Sequence, residues 1–304
     1  MRSKLFVPAS RPELFEKAMN SRADAISFDL EDSVLHERKE HARQALGALF
    51  NSDGFAQKKQ AARKAVIVRV NPLDTEYFDD DLKAACHANV DVINIPKIDT
   101  AEQVLSFIER LAAAENAYNA RAGDQAHIKV LANIETPTAL HNAADIAAAH
   151  PRVWGLQLGL GDMFEPLNIA RYDTQNVHSI MFALRMASAR SGCVVYDSAY
   201  ADVANAEGYR QEALQAKRLG FLGKTCIHPS QVGIANEVFS PTEQEIAWAQ
   251  KVLAASSQND VNGAYLVDGK MVDAPFVARA RSIVEHAEQL SIPLTSNSNG
   301  DKQC

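Results

Sequence analysis

Eight short apolar runs recur along the first three-quarters of the chain, and each is followed by polar or charged residues. The runs occupy residues 4–7, 25–28, 65–68, 92–95, 129–134, 155–158, 193–196 and 224–227. Parallel strands that carry helices on both faces of their sheet are continuous apolar runs, whereas strands with one wet face alternate. Stretches of helical pattern separate these runs. The sequence therefore predicts an α/β fold in which eight parallel strands close into a (β/α)8 TIM barrel.

Charged and polar side chains collect where the predicted strands end. They are Asp29, Glu31, Asp32, Arg69, Lys97, Glu135, Asp162, Asp197 and His228. Active sites of (β/α)8 barrels lie at the carboxyl ends of the strands. The distribution therefore indicates an enzyme whose site is built at that end of the barrel.

Charge and hydropathy exclude several classes of partner. The formal net charge of −7 gives no general affinity for nucleic acid or for anionic membranes. No apolar stretch approaches the roughly 20 residues that span a bilayer, and the N-terminus lacks the apolar segment of a secretory signal. The four cysteines have no metal-binding spacing, so we expect buried, reduced thiols. These features predict a cytoplasmic protein without nucleic-acid or membrane partners.

The chain divides into a barrel and a C-terminal appendage. We expect the barrel to occupy residues 1–240 and the C-terminal helices and a lid to occupy residues 241–290. Asp268-Gly269 suits a tight type I′ hairpin turn, and Pro275 suits the start of a final helix. Residues 291–304, which end in a stretch rich in Ser and Asn, are predicted to be disordered.

Local signals also predict where several helices begin. Ser10-Arg11-Pro12-Glu13 and Ser240-Pro241-Thr242-Glu243 have the spacing of capping boxes with proline in the first turn. Thr136-Pro137 is a similar start after the fifth strand. The charged, alanine-rich stretch from Asp32 to Phe50 is typical of a helix after the second strand.

Glu135 and Asp162 are the strongest candidates for a metal site. They lie 27 residues apart, about one βα unit, at the ends of the fifth and sixth predicted strands. Neighbouring strands are about 4.8 Å apart, so both carboxylates can reach one cation. Mg²⁺ takes oxygen ligands, usually one or two carboxylates completed by water or substrate. The alternative is that one or both carboxylates cap the helices that follow.

The cationic and imidazole side chains at the strand ends have two possible roles each. Arg69 could grip a substrate carboxylate with two hydrogen bonds, or form a structural ion pair with Glu31 or Asp32, and both could hold together. Lys97 could form a Schiff base, although an ion-paired scaffold role is favoured so close to carboxylates. His228 could be a base or a structural donor, with structure slightly favoured.

Several motifs, in order and at matching spacing from about residue 2 to residue 290, resemble the citrate lyase β-subunit-like family, which includes the malyl-CoA and citramalyl-CoA lyases. They are Arg2-Ser3-Lys4-Leu5-Phe6-Val7-Pro8, Phe28-Asp29-Leu30-Glu31-Asp32, Arg69-Val70-Asn71, Ile95-Pro96-Lys97, Ile134-Glu135-Thr136-Pro137, Leu158-Gly159-Leu160-Gly161-Asp162 and Cys226-Ile227-His228-Pro229. Singly most of these motifs are weak, but together they are specific.

The resemblance implies a (β/α)8 barrel and Mg²⁺-dependent cleavage of a 3-hydroxy-3-carboxyacyl-CoA, such as malyl-CoA or citramalyl-CoA. The products would be acetyl-CoA and a 2-oxo acid, such as glyoxylate or pyruvate. By position, the resemblance makes Glu135 and Asp162 the metal ligands, with Glu135 also at the substrate. Arg69 would bind the oxo-acid end, supported by Glu31 and Asp32.

The C-terminal hairpin sharpens the expectation. Residues 268–275 resemble the lid of the CoA lyases, in which an aspartate matching Asp273 reaches a neighbouring subunit's site as acid or base. The resemblance thus implies a stand-alone lyase acting on a CoA thioester, as a homotrimer or dimer of trimers. The alternative for this segment is a short hairpin that packs on its own barrel.

Three other functions stay open. A malate or citramalate synthase-type homologue would hydrolyse the thioester after the same carbon–carbon chemistry. A citrate lyase β subunit would act on an acyl-carrier-protein thioester inside a complex. An aldolase acting on free 2-oxo acids shares the barrel and the metal but is favoured less.

Overall fold

The chain forms two compact units, of which the first spans Met1–Phe239 and the second begins at Ser240. The computed structural model describes residues 1–122, 127–257 and 263–294. Most of the tail that we predict to be disordered, residues 295–304, lies outside the described residues.

The first unit is a closed barrel of eight parallel strands, in which each strand pairs with the next and the eighth pairs with the first. The strands are β1 (Ser3–Pro8), β2 (Ala25–Asp29), β3 (Ala65–Arg69), β4 (Val92–Ile95), β5 (Lys129–Ile134), β6 (Val153–Leu158), β7 (Val194–Asp197) and β8 (Gly223–Cys226). The eight apolar runs are therefore the eight strands, which confirms the predicted (β/α)8 fold.

Helices follow the strands and cover the barrel. They are α1 (Phe15–Met19), α2 (Lys39–Phe50), α3 (Phe55–Ala61), α4 (Phe78–Ala85), α5 (Ala101–Ala122), α6 (Pro137–His141), α7 (Ala143–Ala148), α8 (Leu160–Phe164), α9 (Thr174–Ala189), α10 (Ala206–Arg218) and α11 (Pro229–Phe239). Strand residues such as Phe28 and Val68 are fully buried in the main apolar core. A separate apolar cluster contains Ala25, Ile67 and Leu131. None of the helices in the described ranges combines the length and apolar character that crossing a bilayer requires.

Two of the helix starts predicted in the barrel can be compared with the N-cap residues in the structure. Thr136 caps α6 as predicted, since its hydroxyl accepts a hydrogen bond from the Ala139 backbone N–H at 2.9 Å. The capping box predicted from Ser10 is wrong, because Arg11 is the N-cap of a short 3-10 turn and no side chain caps it. Arg11 Nε instead donates to Glu13 at 2.9 Å, which occupies the carboxylate that the box needs.

The helix predicted to begin at Asp32 begins later, at Lys39, after a 3-10 turn. The Asp29 carboxylate accepts hydrogen bonds from the backbone N–H groups of Glu31 (3.0 Å) and Ser33 (3.1 Å). An aspartate that bonds to the backbone just after itself favours a turn over a helix. Residues 30–35 consequently form a loop at the carboxyl end of β2.

The C-terminal unit contains two helices and a hairpin: α12 (Glu243–Ser256), β9 (Tyr265–Val267), β10 (Lys270–Val272) and α13 (Ala274–Gln289). Its strands are antiparallel. The φ angles of Asp268 (50°) and Gly269 (75°) are both positive, as the predicted type I′ turn requires. Val252, Val267 and Val272 belong to the unit's own apolar cluster.

The capping box of α12 lies two residues after its predicted position. The Thr242 hydroxyl accepts from the Glu245 N–H at 3.1 Å, and the Glu245 carboxylate accepts from the Thr242 N–H at 2.8 Å. The predicted box began at Ser240, which lies before the helix. Two overlapping Ser/Thr-x-x-Glu spacings occur here, and Pro241 precedes the N-cap instead of opening the helix.

Candidate active site

A cavity of about 320 Å³ lies at the carboxyl ends of the barrel strands. Several strands contribute to its lining, which includes Phe6, Arg69, Asn133, Glu135, Gln157 and Asp162. The barrel thus brings Glu135, Asp162 and Arg69, predicted from three different strand ends, around one cavity.

Glu135 is held rigidly at the end of β5. Its side chain is buried, and Oε1 accepts a hydrogen bond from the Lys97 backbone N–H at 2.6 Å. Oε2 accepts from the Asn133 amide at 3.0 Å. A Cβ on Gly159 would lie 2.5 Å from the Glu135 Cβ, so β6 can pass this carboxylate only with glycine there. Each carboxylate oxygen keeps a lone pair for a further ligand.

Asp162 lies in the first turn of α8, directly after β6, and is exposed. The N-caps of α6 and α8 are Thr136 and Gly159, so the alternative that Glu135 and Asp162 cap these helices is wrong. Burial raises the pKa of Glu135, and the charge of Asp162 adds to this rise, while the hydrogen bond from Lys97 opposes it. The two carboxylates therefore repel each other across the cavity.

The chemistry of this pair fits a hard divalent cation. Within residues 1–122, 127–257 and 263–294, neither Glu135 nor Asp162 forms an ion pair, and no cluster of three or more His, Cys, Asp or Glu residues could hold a metal. Two carboxylates without a cation suit Mg²⁺, which keeps several coordination positions for water and substrate.

Arg69 lies beside this pair and is surrounded by acids. Its Nε and Nη2 donate to the two Asp29 oxygens at 2.7 and 2.8 Å, a bidentate pair. Its Nη1 is 2.7 Å from Glu31 and 3.4 Å from Asp32. The predicted ion pairs with Glu31 and Asp32 are therefore present. The main partner, Asp29, was missed, although β2 and β3 place Asp29 and Arg69 directly opposite each other.

Glu31 shares its carboxylate between two cations. Arg69 contacts one oxygen, and Lys97 Nζ lies 3.2 Å from the other. Burial raises the pKa of Glu31 to about 8, although Arg69 opposes the rise. The pKa of Lys97 is also raised, because the charges of Glu31 and Asp32 outweigh its partial burial. A protonated, ion-paired Lys97 agrees with the scaffold role and disfavours Schiff-base chemistry.

A second buried ion network, which sequence reasoning did not find, lies at β7 and β8. Lys224 on β8 is fully buried and donates to Asp197 at 2.6 Å and Glu212 at 2.7 Å. Glu212 also forms a bidentate pair with Arg171, whose side chain reaches the cavity. These carboxylates raise the pKa of Lys224 despite its burial. A lysine inside an apolar strand is the sequence signal that could have revealed the network.

The two remaining candidate residues are His228 and Asp273. His228 is exposed, and its Nδ1 lies 2.8 Å from the Ser230 hydroxyl and accepts from the Ser230 N–H at 3.2 Å, where α11 begins. This contact agrees with the structural role. Asp273 belongs to the C-terminal unit, where it is the N-cap residue of α13 without a side-chain capping bond. Its Oδ1 is buried and has no hydrogen-bond partner among the described residues.

Comparison with known proteins agrees with this geometry. The sequence profile of HpcH/HpaI aldolase/citrate lyase matches residues 2–229, which include Glu135, Asp162 and Arg69. The chain belongs to the HpcH/HpaI aldolase/citrate lyase family. The family resemblance seen in the strand-end motifs is thereby confirmed.

Relatives in this family carry two kinds of name. The chain is 33% identical to the citrate lyase subunit beta of Haemophilus influenzae over 94% of this chain and 97% of that one. It is 34% identical to a (3S)-malyl-CoA thioesterase of Cereibacter sphaeroides, over 95% of both chains. Among solved structures, it is similar to CitE of Mycobacterium tuberculosis in complex with magnesium, acetoacetate and coenzyme A, with TM-score 0.73, 29% identity, and 95% and 100% of the two chains covered.

Proposed function

We propose that this protein is a Mg²⁺-dependent carbon–carbon lyase that cleaves a 3-hydroxy-3-carboxyacyl-CoA of the malyl-CoA or citramalyl-CoA type. The products are acetyl-CoA and a 2-oxo acid, glyoxylate or pyruvate. The observation that carries the proposal is the pair Glu135 and Asp162, two carboxylates on one cavity without a cationic partner in the described part of the chain. The magnesium, acetoacetate and coenzyme A bound by the similar CitE structure support it.

Glu135 and Asp162 would hold the metal. A bound Mg²⁺ supplies Lewis-acid polarisation of the substrate's hydroxyl and carboxylate oxygens. The hydrogen bonds from Lys97 and Asn133 fix the orientation of Glu135 before anything binds, so its oxygens need little reorganisation.

Cleavage breaks the bond between the carbinol carbon and the carbon next to the thioester. The hydroxyl gives its proton to water and becomes the oxo group of the 2-oxo acid, and the electrons of the broken bond form an acetyl-CoA enolate. Arg69 lies on the cavity beside the metal pair and offsets negative charge on the oxo-acid end. Asp29, Glu31 and Asp32 hold its guanidinium in place.

Asp273 would complete the reaction from a neighbouring copy of the chain in a homotrimer or dimer of trimers. Its carboxyl group protonates the enolate carbon, or removes a methyl proton in the synthetic direction. Asp273 makes no side-chain capping bond, and its Oδ1 has no hydrogen-bond partner among the described residues, which supports a role other than holding its own helix.

The test is to incubate the purified chain with malyl-CoA or citramalyl-CoA, with and without Mg²⁺, and to measure acetyl-CoA and the oxo acid. Metal-dependent release of both products supports the proposal, and the better thioester identifies the substrate. No cleavage of either thioester would contradict a self-sufficient lyase of this type.

Thioester hydrolysis is the second candidate, favoured by the relatives named (3S)-malyl-CoA thioesterase. Free CoA together with malate or citramalate, in place of acetyl-CoA, would identify it in the same assay. The relatives named citrate lyase subunit beta favour a third arrangement, action on a carrier-protein thioester within a complex. Turnover of a CoA thioester by the chain alone would exclude that arrangement.

A further inference from the structure

A polar network crosses the barrel interior beneath the cavity, and the proposed chemistry uses none of its inner members. Lys4 on β1 is fully buried, and its Nζ donates to Gln157 Oε1 on β6 and to Asn94 Oδ1 on β4 at 3.4 Å. The neighbours of β1 are β2 and β8, so both hydrogen bonds cross the inside of the barrel. Burying a lysine costs free energy, so its position here needs a structural or functional explanation.

The Lys4 contact determines which end of the Gln157 amide faces the cavity. Lys4 Nζ donates to the carbonyl oxygen of Gln157, so the NH2 group of Gln157 points away from Lys4. Gln157 lines the same cavity as Glu135 and Asp162. Across the described residues its NH2 group has no hydrogen-bond partner, although the side chain is only 5% exposed. Gln157 thus presents two donors to whatever occupies the cavity.

Thr225 provides a second unpaired donor in this cavity. The residue is fully buried on β8, and its hydroxyl oxygen has no hydrogen-bond partner among the described residues. It also lines the cavity. Buried polar groups are almost always paired in folded proteins, so the unpaired Thr225 hydroxyl, on the same cavity as the Gln157 NH2 group, indicates a ligand with acceptor oxygens.

A second branch of the network ends at the candidate metal ligand. The Asn94 amide donates to Asn133 Oδ1 at 2.7 Å, and the Asn133 amide donates to Glu135 Oε2 at 3.0 Å. Each amide in this series of hydrogen bonds is oriented by the group that precedes it in the series. Lys4 is the donor at the start of both branches, one ending at Glu135 and the other at the free NH2 group of Gln157.

We propose that Gln157 is a substrate-positioning residue whose NH2 group donates to an oxygen of the small 2-oxo acid in the cavity, with Lys4 fixing its orientation and the Thr225 hydroxyl as a second donor. The inference rests on the proposed function, because it takes a small oxo acid as the occupant. It adds residues that neither the metal site nor the Arg69 cluster includes.

The experiment is a calorimetric titration of pyruvate and of glyoxylate into the full chain at saturating Mg²⁺. Gln157→Leu should weaken binding of the preferred acid by about tenfold or more, the usual effect of losing one hydrogen bond to a charged group. Mg²⁺ binding and the melting temperature are measured for each variant. Gln157→Glu keeps the size and the Lys4 contact but replaces donors with an acceptor, so it should weaken binding at least as much.

The positioning role of Lys4 has its own test. Lys4→Met should weaken oxo-acid binding less than Gln157→Leu, because the amide is still present but free to rotate. In the double variant, Lys4→Met should cause a smaller loss than in the wild-type background, since the part of its effect that passes through Gln157 is already gone and only the branch to Glu135 remains. Ser27→Ala is the matched control: it removes a buried, unpaired hydroxyl of β2 that does not line the cavity, so affinity should stay unchanged.

Unchanged affinity in both Gln157 variants would overturn the inference while leaving the proposed function intact. Additive losses in the double variant would overturn the positioning role of Lys4. A wild-type chain that binds neither acid in the presence of Mg²⁺ would instead contradict the proposed function, and this inference with it.

Discussion

Two neighbouring stretches of the barrel's carboxyl end differ in how their carboxylates are neutralised. At β2–β4, Asp29, Glu31 and Asp32 contact Arg69, and Lys97 contacts Glu31, so every carboxylate there has a cationic partner. At β5–β6, Glu135 and Asp162 share a cavity, and neither forms an ion pair with another described residue. The first stretch is balanced by its own ion pairs, whereas the proposed metal would balance the second.

This difference separates structural acids from candidate metal ligands. A carboxylate that is already paired gains little from a divalent cation, because binding the metal would break its existing contacts. Among the described residues Glu135 and Asp162 have no ion pair to lose, and a metal would relieve their mutual repulsion. Sequence position alone could not make this distinction, since all of these acids follow strands.

The largest effect is expected when the unbalanced pair loses a member. Asp162→Ala should abolish metal-dependent turnover and greatly weaken Mg²⁺ binding, because one carboxylate alone holds Mg²⁺ poorly. Thioester cleavage and calorimetric Mg²⁺ titration measure the two effects. Glu109→Gln, which changes an exposed acid of α5 that does not line the cavity, is the control and should retain turnover. Near-wild-type turnover of Asp162→Ala would remove the metal assignment.

A change outside both stretches should separate proton transfer from metal binding. Asp273→Asn should lower turnover by about 10²-fold or more, the usual contribution of a positioned acid or base. Mg²⁺ and pyruvate should bind as before, since Glu135, Asp162 and Arg69 are unchanged. Steady-state kinetics and calorimetry test this together, and unaltered turnover would take Asp273 out of the mechanism.

On the balanced stretch, losing the main partner of Arg69 should affect stability. Asp29→Asn should destabilise the fold by about 3–5 kcal/mol at pH 7, because it breaks a buried ion pair. Arg69 lowers the pKa of Asp29 below its usual 3.8, so the wild type gains this stability above that pH. Urea unfolding at several pH values should show the free energies of unfolding of the wild type and of Asp29→Asn converging as pH falls through the lowered pKa of Asp29. A difference independent of pH would contradict the ion-pair account.

The smallest effect is expected from the exposed acid of the same cluster. Asp32→Asn should change stability by less than about 1 kcal/mol, since Asp32 is 55% exposed and 3.4 Å from Arg69. Turnover should fall less than tenfold, because Asp29 and Glu31 still hold the guanidinium. A loss as large as that of Asp162→Ala would mean that the balanced stretch takes part in the chemistry directly.

The strands were predictable because burial on both faces leaves a continuous apolar run that few other structures produce. Helix starts were less predictable, since Ser240 and Thr242 offer overlapping capping patterns and only the surrounding chain selects one. The late start of α2 depends on the Asp29 carboxylate bonding to nearby backbone N–H groups, which no apolar periodicity reveals.

The candidate site was partly predictable for a similar reason. Charged residues at strand ends identify Glu135, Asp162 and Arg69, but their pairing depends on strand register and burial. The Lys224–Glu212 contact joins a strand to a helix, and the Lys4–Gln157 contact joins strands on different sides of the barrel. Such partners are distant in sequence, so a single sequence reveals the charged residue and not its contact.

The most direct test is a crystal structure of the chain grown with Mn²⁺ and pyruvate, with the metal located by anomalous diffraction. The account predicts one peak bonded to carboxylate oxygens of both Glu135 and Asp162, at roughly the 2.1 Å typical of octahedral sites of this kind. A metal bound instead by Asp29, Glu31 or Asp32, or an empty Glu135–Asp162 pair at saturating Mn²⁺, would contradict it.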